Sequence, residues 1–235
     1  MNTHKLITLV IFISTCAHSI AQRHSEIGLI GGTSYYLGEL NPSKQITNKI
    51  NPAIGVFYRK NTSNRYALRF GANYGKISAS DKISNLAFND FRKLSFSSSI
   101  FEGYGILEFN FLPFEIGNYR TSPFSPYVFI GAAAFIVNPE IENEGGNSTF
   151  SSGSLTSFSI PFGLGMKFDL GGNWGLGVEW GMRKTYTDEM DGLYQTYYGG
   201  YQLSNSQNND WYSILGITLN YKILTESDHC PGVIN

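Results

Sequence analysis

The chain has 235 residues, a formal net charge of −1 and only 15% charged residues, with 26 glycines, 17 phenylalanines and 15 tyrosines. A near-neutral chain without a basic run lacks the positive patch that nucleic-acid binding needs. Past the N-terminus no segment reaches the roughly 20 consecutive apolar residues of a membrane-spanning helix, so any spanning form must be a closed barrel, which satisfies its backbone between strands.

The N-terminus reads as an export signal. Lys5 gives a short positive region, Leu6 to Ile13 an apolar one, and Ser19-Ile20-Ala21 a small-x-small site, so residues 1–21 are expected to be a cleaved signal peptide with Gln22 as the first mature residue. The alternative is lipidation at Cys16, but Thr15 before it does not suit a lipobox. Loss of Cys16 with the signal leaves Cys230 alone, with no intramolecular disulfide and a thiol that is either free or bonded to another chain.

Eight alternating segments follow in the expected barrel, residues 22–223. The first, Glu26 to Gly38, puts Ile27, Leu29, Gly31, Thr33, Tyr35 and Leu37 on one face. The second is short, about Ala53 to Arg59, and Asn61 to Asn64 make a turn. In the third, Tyr66, Leu68, Phe70, Ala72 and Tyr74 face out, with Ala67, Arg69, Gly71 and Asn73 facing in. A polar loop runs to about Ser97, after which Phe101, Gly103, Gly105, Leu107, Phe109 and Phe111 alternate with Glu102, Tyr104, Ile106, Glu108 and Asn110. The fifth, Tyr127 to Val137, is apolar on both faces, and its orientation stays open because a buried strand of a soluble sandwich reads the same way.

The sixth and seventh segments carry the clearest pattern. Phe158, Ile160, Phe162, Leu164, Met166, Phe168 and Leu170 alternate with small or charged residues; after Gly171-Gly172-Asn173, Trp174, Leu176, Val178, Trp180 and Met182 alternate with Gly175, Gly177, Glu179, Gly181 and Arg183. The eighth, Trp211 to Ile223, sets Leu215, Ile217, Leu219 and Tyr221 against Ile214, Gly216, Thr218, Asn220 and Lys222. Successive side chains of a strand point to opposite faces. A wholly apolar face opposite glycines and charges suits lipid outside and a crowded lumen inside. The expected fold is therefore all-β, an eight-stranded antiparallel transmembrane β-barrel with a closed, filled lumen. A soluble sandwich or lipocalin-like barrel is the alternative.

Loop lengths agree with both termini on the periplasmic side: Glu39–Lys49, Lys76–Ser97, Asn138–Leu155 and Lys184–Asp210 are long, whereas Asn61–Asn64 and Gly171–Asn173 are short. Only Leu112 to Ser125 is long for a periplasmic turn. Tyr35, Tyr66, Tyr74, Trp174, Trp180, Trp211 and Tyr221 suit girdles at the membrane interfaces.

Inside, Arg69, Lys167 and Arg183 are expected to neutralise Glu102, Glu108 and Glu179, with Glu26 and Lys222 also facing in. Eight strands enclose an interior that side chains just fill, so this network reads as a structural plug rather than a transport path. The mature histidines are only His24 and His229, flanking the barrel. Neither lies on an outer loop, so a Ser/His/acid site there is not available and a lipid-modifying enzyme is disfavoured, although a purely carboxylate mechanism stays open. Asp188, Glu189 and Asp191 lack the ligand spacing and distal glutamate of an EF-hand. No catalytic residue, cofactor or metal is predicted.

Three stretches carry a family resemblance: His24-Ser-Glu-Ile-Gly-Leu into Tyr35-Tyr-Leu-Gly-Glu-Leu-Asn-Pro42; Arg183-Lys-Thr-Tyr-Thr-Asp-Glu-Met-Asp-Gly-Leu-Tyr194; and Asn209-Asp-Trp-Tyr-Ser-Ile-Leu-Gly-Ile-Thr-Leu-Asn-Tyr-Lys222 with Cys230-Pro231. With these the chain resembles the PorG-type outer-membrane proteins of the Bacteroidota type IX secretion system. The resemblance implies a non-enzymatic barrel that contacts the periplasmic ring of PorK and PorN. The expected partners are thus outer-membrane lipid and that ring. The expected contact is the turn Leu112–Ser125, with Phe114, Tyr119 and Arg120, together with the periplasmic tail, residues 224–235, with Asp228 and Cys230. The alternative is a surface-adhesion barrel working through its outer loops.

Overall fold

Alternating side chains give each strand two unlike faces, and eight such strands close on themselves. The computed structural model describes residues 24–37, 51–80, 94–143, 150–151, 154–187, 197–198, 201–202 and 211–223. Its long strands are β1 (Ser25–Leu37), β2 (Asn51–Asn61), β3 (Tyr66–Ser80), β4 (Leu94–Asn110), β5 (Phe124–Asn143), β6 (Leu155–Gly171), β7 (Trp174–Thr185) and β8 (Trp211–Ile223). Each pairs antiparallel with its sequence neighbours. β1 also pairs with β8, from Ser25↔Ile223 to Leu37↔Trp211. The eight long strands therefore form a closed barrel, which removes the exposed edge that an open sheet would carry. Phe150–Ser151 adds a short pairing to β5, and Tyr197–Tyr198 pairs with Tyr201–Gln202.

The barrel is inverted relative to a soluble protein. Ile54 and Phe158 are 63% and 66% exposed on the outer wall, while Arg59, Arg69, Glu102, Glu108, Lys167, Glu179 and Arg183 are buried inside. A soluble sandwich would bury the first group and expose the second, whereas hydrocarbon around a closed wall favours this arrangement. β5 resolves on the same rule: Tyr127, Phe129, Phe135 and Val137 are buried inside and Val128, Ile130 and Ile136 are exposed outside.

The strands are longer than alternation alone suggests. β3 runs on to Ser80 and β4 starts at Leu94, pairing through Ser80↔Ser95, and β5 continues to Asn143. These extensions are rich in serine and carry Lys76, Glu140 and Glu142 among their apolar residues, a mixture that reads as a polar loop until backbone pairing places it in the sheet. β2 likewise covers Asn51–Asn61 rather than 53–59.

Both termini of the sheet lie at one end, joined there by short turns at 62–65 and 172–173 and by the segment 111–123. The 172–173 turn needs glycine, because Gly171 and Gly172 take φ of 87° and 59°, a left-handed region costly to residues with a Cβ. At this end Trp174 packs edge-on against Tyr221, 4.9 Å between centroids, and Tyr66 packs on Phe109 at 5.2 Å. Near the opposite, long-loop end Tyr35 departs from the expected girdle. It is 4% exposed, and its hydroxyl accepts a 2.7 Å hydrogen bond from Trp180 Nε1. Residues 1–21, the tail with Asp228 and Cys230, and Asp188, Glu189 and Asp191 lie outside the described residues.

Candidate functional site

Inward positions on six strands converge on one charge network. Glu108 of β4 is its hub: Arg59 of β2 meets it through two nitrogens, Nε at 2.9 Å and Nη2 at 3.2 Å, Arg69 Nε of β3 lies at 2.9 Å, and Lys167 Nζ of β6 at 2.6 Å. Arg59 Nη1 also reaches Glu26 of β1 at 2.6 Å, whose other oxygen accepts from Asn61 at 2.6 Å. Arg69 Nη2 continues to Glu179 of β7 at 2.5 Å, and the Tyr127 hydroxyl donates to the same carboxylate at 2.6 Å. Towards the long-loop end Arg183 Nε meets Glu102 at 3.2 Å, and Asn73 and the Tyr212 hydroxyl donate to Glu102 as well.

The buried charges among the described residues balance: four carboxylates (Glu26, Glu102, Glu108, Glu179) face four cations (Arg59, Arg69, Lys167, Arg183). Each ion loses several kcal/mol of hydration on burial, so only mutual pairing and hydrogen bonding make the arrangement tolerable. Aromatic faces fill the remaining space. The Arg69 guanidinium carbon lies 5.1 Å from the Phe57 ring centroid, 5.5 Å from Phe129 and 5.8 Å from Tyr104. Arg69 Nη1 has no hydrogen-bond acceptor among the described residues, and these rings surround it instead. Lys167 Nζ sits 4.6 Å from the Tyr127 centroid.

The sequence-predicted residues Arg69, Glu102, Glu108, Lys167, Glu179 and Arg183 are thus brought together, with Glu26. Lys222 is not part of this cluster. The residue that sequence reasoning missed is Arg59, at the centre. Its signal was present in the alternation of Ala53, Gly55, Phe57, Arg59 and Asn61 against Ile54, Val56 and Tyr58, which puts Arg59 on the face opposite the branched apolar residues.

The segment 111–123 closes the short-turn end. Phe114 and Ile116 are buried, at 4% and 0% exposure. Ile116 packs where β7 carries Gly175, and a Cβ there would stand 2.7 Å from Ile116 Cδ1, so glycine makes the seat. Main-chain bonds tie the segment to the neighbouring turn, Phe114 N to Asn64 O at 3.0 Å, and Gly117 N donates to Asp169 Oδ1 at 3.1 Å. Lys222 Nζ binds Glu115 Oε1 at 2.9 Å and the Ile116 carbonyl at 3.0 Å, with His24 Nδ1 at 3.2 Å from the same carboxylate oxygen. Partial burial raises the Glu115 pKa, but hydrogen bonds from Asn118 and Lys222 and the charges of His24 and Lys222 outweigh it, leaving the pKa below its ordinary value. Phe114 is therefore packed inside the plug and cannot serve as the surface contact expected of it. Tyr119 and Arg120 are exposed, Tyr119 at 88%, with the Arg120 guanidinium carbon 5.6 Å from the Tyr119 ring centroid.

No three described His, Cys, Asp or Glu residues are grouped to hold a metal. The chemistry of this interior is charge neutralisation and filling. The profile of a domain of unknown function, DUF6089, matches residues 4–232. Similar solved structures include the N-terminal barrel of Pseudomonas aeruginosa OprF, 14% identical over 85% of this chain and 98% of that one, at a TM-score of 0.45. They include Yersinia pestis Ail, the attachment invasion locus protein, in complex with the heparin analogue sucrose octasulfate, 12% identical over 85% and 98%, at 0.48. Neisserial surface protein A is 12% identical over 85% and 97%, at 0.46. No curated protein matches the chain. The closed fold stands on its own strand pairing, independently of these likenesses.

Proposed function

The chain belongs to the family described as a domain of unknown function, DUF6089, and we propose that it is a non-enzymatic outer-membrane barrel whose short-turn end faces the periplasm and contacts the PorK/PorN ring of a type IX secretion system. The ring comes from the resemblance of the three sequence stretches to PorG-type proteins. What supports a contact at this end is the plug, a long connection folded into one shape. Asn118 Oδ1 accepts from Arg120 N at 3.0 Å, and Thr121 Oγ1 donates to the Asn118 carbonyl at 2.9 Å. Tyr119 and Arg120 are held outward on it, and tyrosine and arginine are the residue types that dominate binding energy at protein interfaces. A preformed loop also loses little conformational freedom on binding.

The test is a detergent pull-down with tagged full-length protein. Tyr119→Ala combined with Arg120→Ala should leave the barrel folded by heat-modifiable gel mobility and weaken ring recovery by about tenfold or more. Deleting residues 225–235 should leave the barrel folded, because β8 still closes the sheet at Ile223, and should weaken ring recovery too. If both variants retain the ring while a deletion within 188–208 releases it, the contact lies on the long-loop end, as the adhesion alternative would place it.

A further inference from the structure

The outer wall is not uniformly convex. Across β4 to β7 it holds a groove of about 460 Å³, lined by Val128, Ile130, Phe162, Leu164, Trp180 and Met182 among others. That volume falls in the range of small-molecule pockets, about 300–1,000 Å³. The pairing rows place its ends: Phe162 lies opposite Met182, and the next outward row towards the long-loop end pairs Ile160 with Lys184 and Lys184 with Trp211. Trp211 packs edge-on against Phe162, with centroids 6.1 Å apart and planes at 86°. The Lys184 ammonium sits 5.7 Å from the Trp211 centroid. Lys184 is exposed and makes no ion pair with any described residue. One wall thus carries an apolar groove, an aromatic step at its rim, and a cation fixed above that step.

We propose that this groove binds an anionic, phosphate-headed lipid of the leaflet at the long-loop end, with an acyl chain along Phe162, Leu164 and Trp180 and the phosphate on Lys184. The inference rests on reading the wall as lipid-facing. A cation–π contact holds the ammonium in place while leaving its three N–H donors for phosphate oxygens. Lys184 stands one outward row beyond the groove lining, on the strand that carries Trp180 and Met182, within reach of a headgroup above a chain seated there.

The three tryptophans make the test direct, since Trp180 and Trp211 flank the groove and Trp174 stands at the short-turn end. The full chain is folded into phosphatidylcholine vesicles containing a minor fraction of either acyl-brominated phosphatidylglycerol or acyl-brominated phosphatidylcholine. In Trp174→Phe, which keeps both groove reporters, phosphatidylglycerol should be enriched at the groove about fivefold, equivalent to about 1 kcal/mol for one lysine at an anionic surface. The excess should vanish in Trp174→Phe/Lys184→Gln and persist in Trp174→Phe/Lys184→Arg. In Trp180→Phe/Trp211→Phe, which keeps only Trp174, both lipids should quench alike. Equal quenching of the groove reporters by the two lipids, or an excess that survives Lys184→Gln, overturns the site. Absence of quenching at all three tryptophans in folded protein would instead overturn the lipid-facing wall itself.

Discussion

Arg59 shows how much one side chain can carry in this interior. It is the link between Glu26 and Glu108, so Arg59→Met leaves Glu26, among the described residues, with Asn61 and Glu108 with Arg69 and Lys167. Breaking a buried pair from one side costs about 3–5 kcal/mol. Urea unfolding from lipid vesicles should show a loss of that size, partly recovered in Arg59→Met/Glu26→Gln, where the orphaned charge is gone too. An unchanged midpoint in the single variant would mean the network does not stabilise the barrel. Glu115 makes a different prediction, through pH. Its pKa is lowered in the folded protein from an ordinary 4.5, so its contribution is fully present above the ordinary value and is lost as pH falls through the lower folded value. Limited proteolysis of the plug should accelerate only below about pH 4.5, the ordinary carboxylate value, and Glu115→Gln should flatten that acid limb.

At the scale of the strand, the two faces should differ in their tolerance of charge. Leu164 and Val178 are 53% and 43% exposed near the middle of β6 and β7. Arginine at either should cost about 2–4 kcal/mol at a bilayer midplane, whereas Thr62→Arg on an exposed turn should be nearly neutral. Heat-modifiable mobility after folding into lipid compares them, and equal folding of all three would refute the assigned outer face. The existence of the eight long strands was legible because side-chain alternation is a property of the sequence itself. Where it failed, the reason is physical. β5 is apolar on both faces because Tyr127 and Phe129 line a lumen that packs arginines against rings, so alternation of polarity disappears although alternation of direction does not. The extension of β4 back to Leu94 crosses the serine run Ser97-Ser98-Ser99, which interrupts the alternation although the backbone pairing continues through it. Within the site, six charges were legible because a charge inside an apolar alternation has few places to go. The burial of Phe114 was not, since a segment that folds back under a barrel has no periodicity to reveal which side chain it tucks in.

For the molecule as a whole, the lumen is closed at two levels. The first is the network of four carboxylates and four cations wedged between Phe57, Tyr104, Tyr127, Phe129 and Tyr212. The second is the plug, with Ile116 against Gly175 and Lys222 clamping Glu115 and the Ile116 carbonyl. The two lie at different depths and share no ion pair among those described, so loss of one leaves the other in place. An eight-stranded interior has room only for its own side chains, and a balanced set of charges gives no local excess to draw ions through. Planar-bilayer recordings of the folded protein should accordingly show no stable large conductance. Ile116→Ala, which loosens the plug, should stay closed as well, because the charge network still blocks the path. Steady currents from the intact protein would refute the filled lumen and revive a transport role. Currents appearing only in Ile116→Ala would place the barrier in the plug and make the charge network a wetted lining rather than a seal.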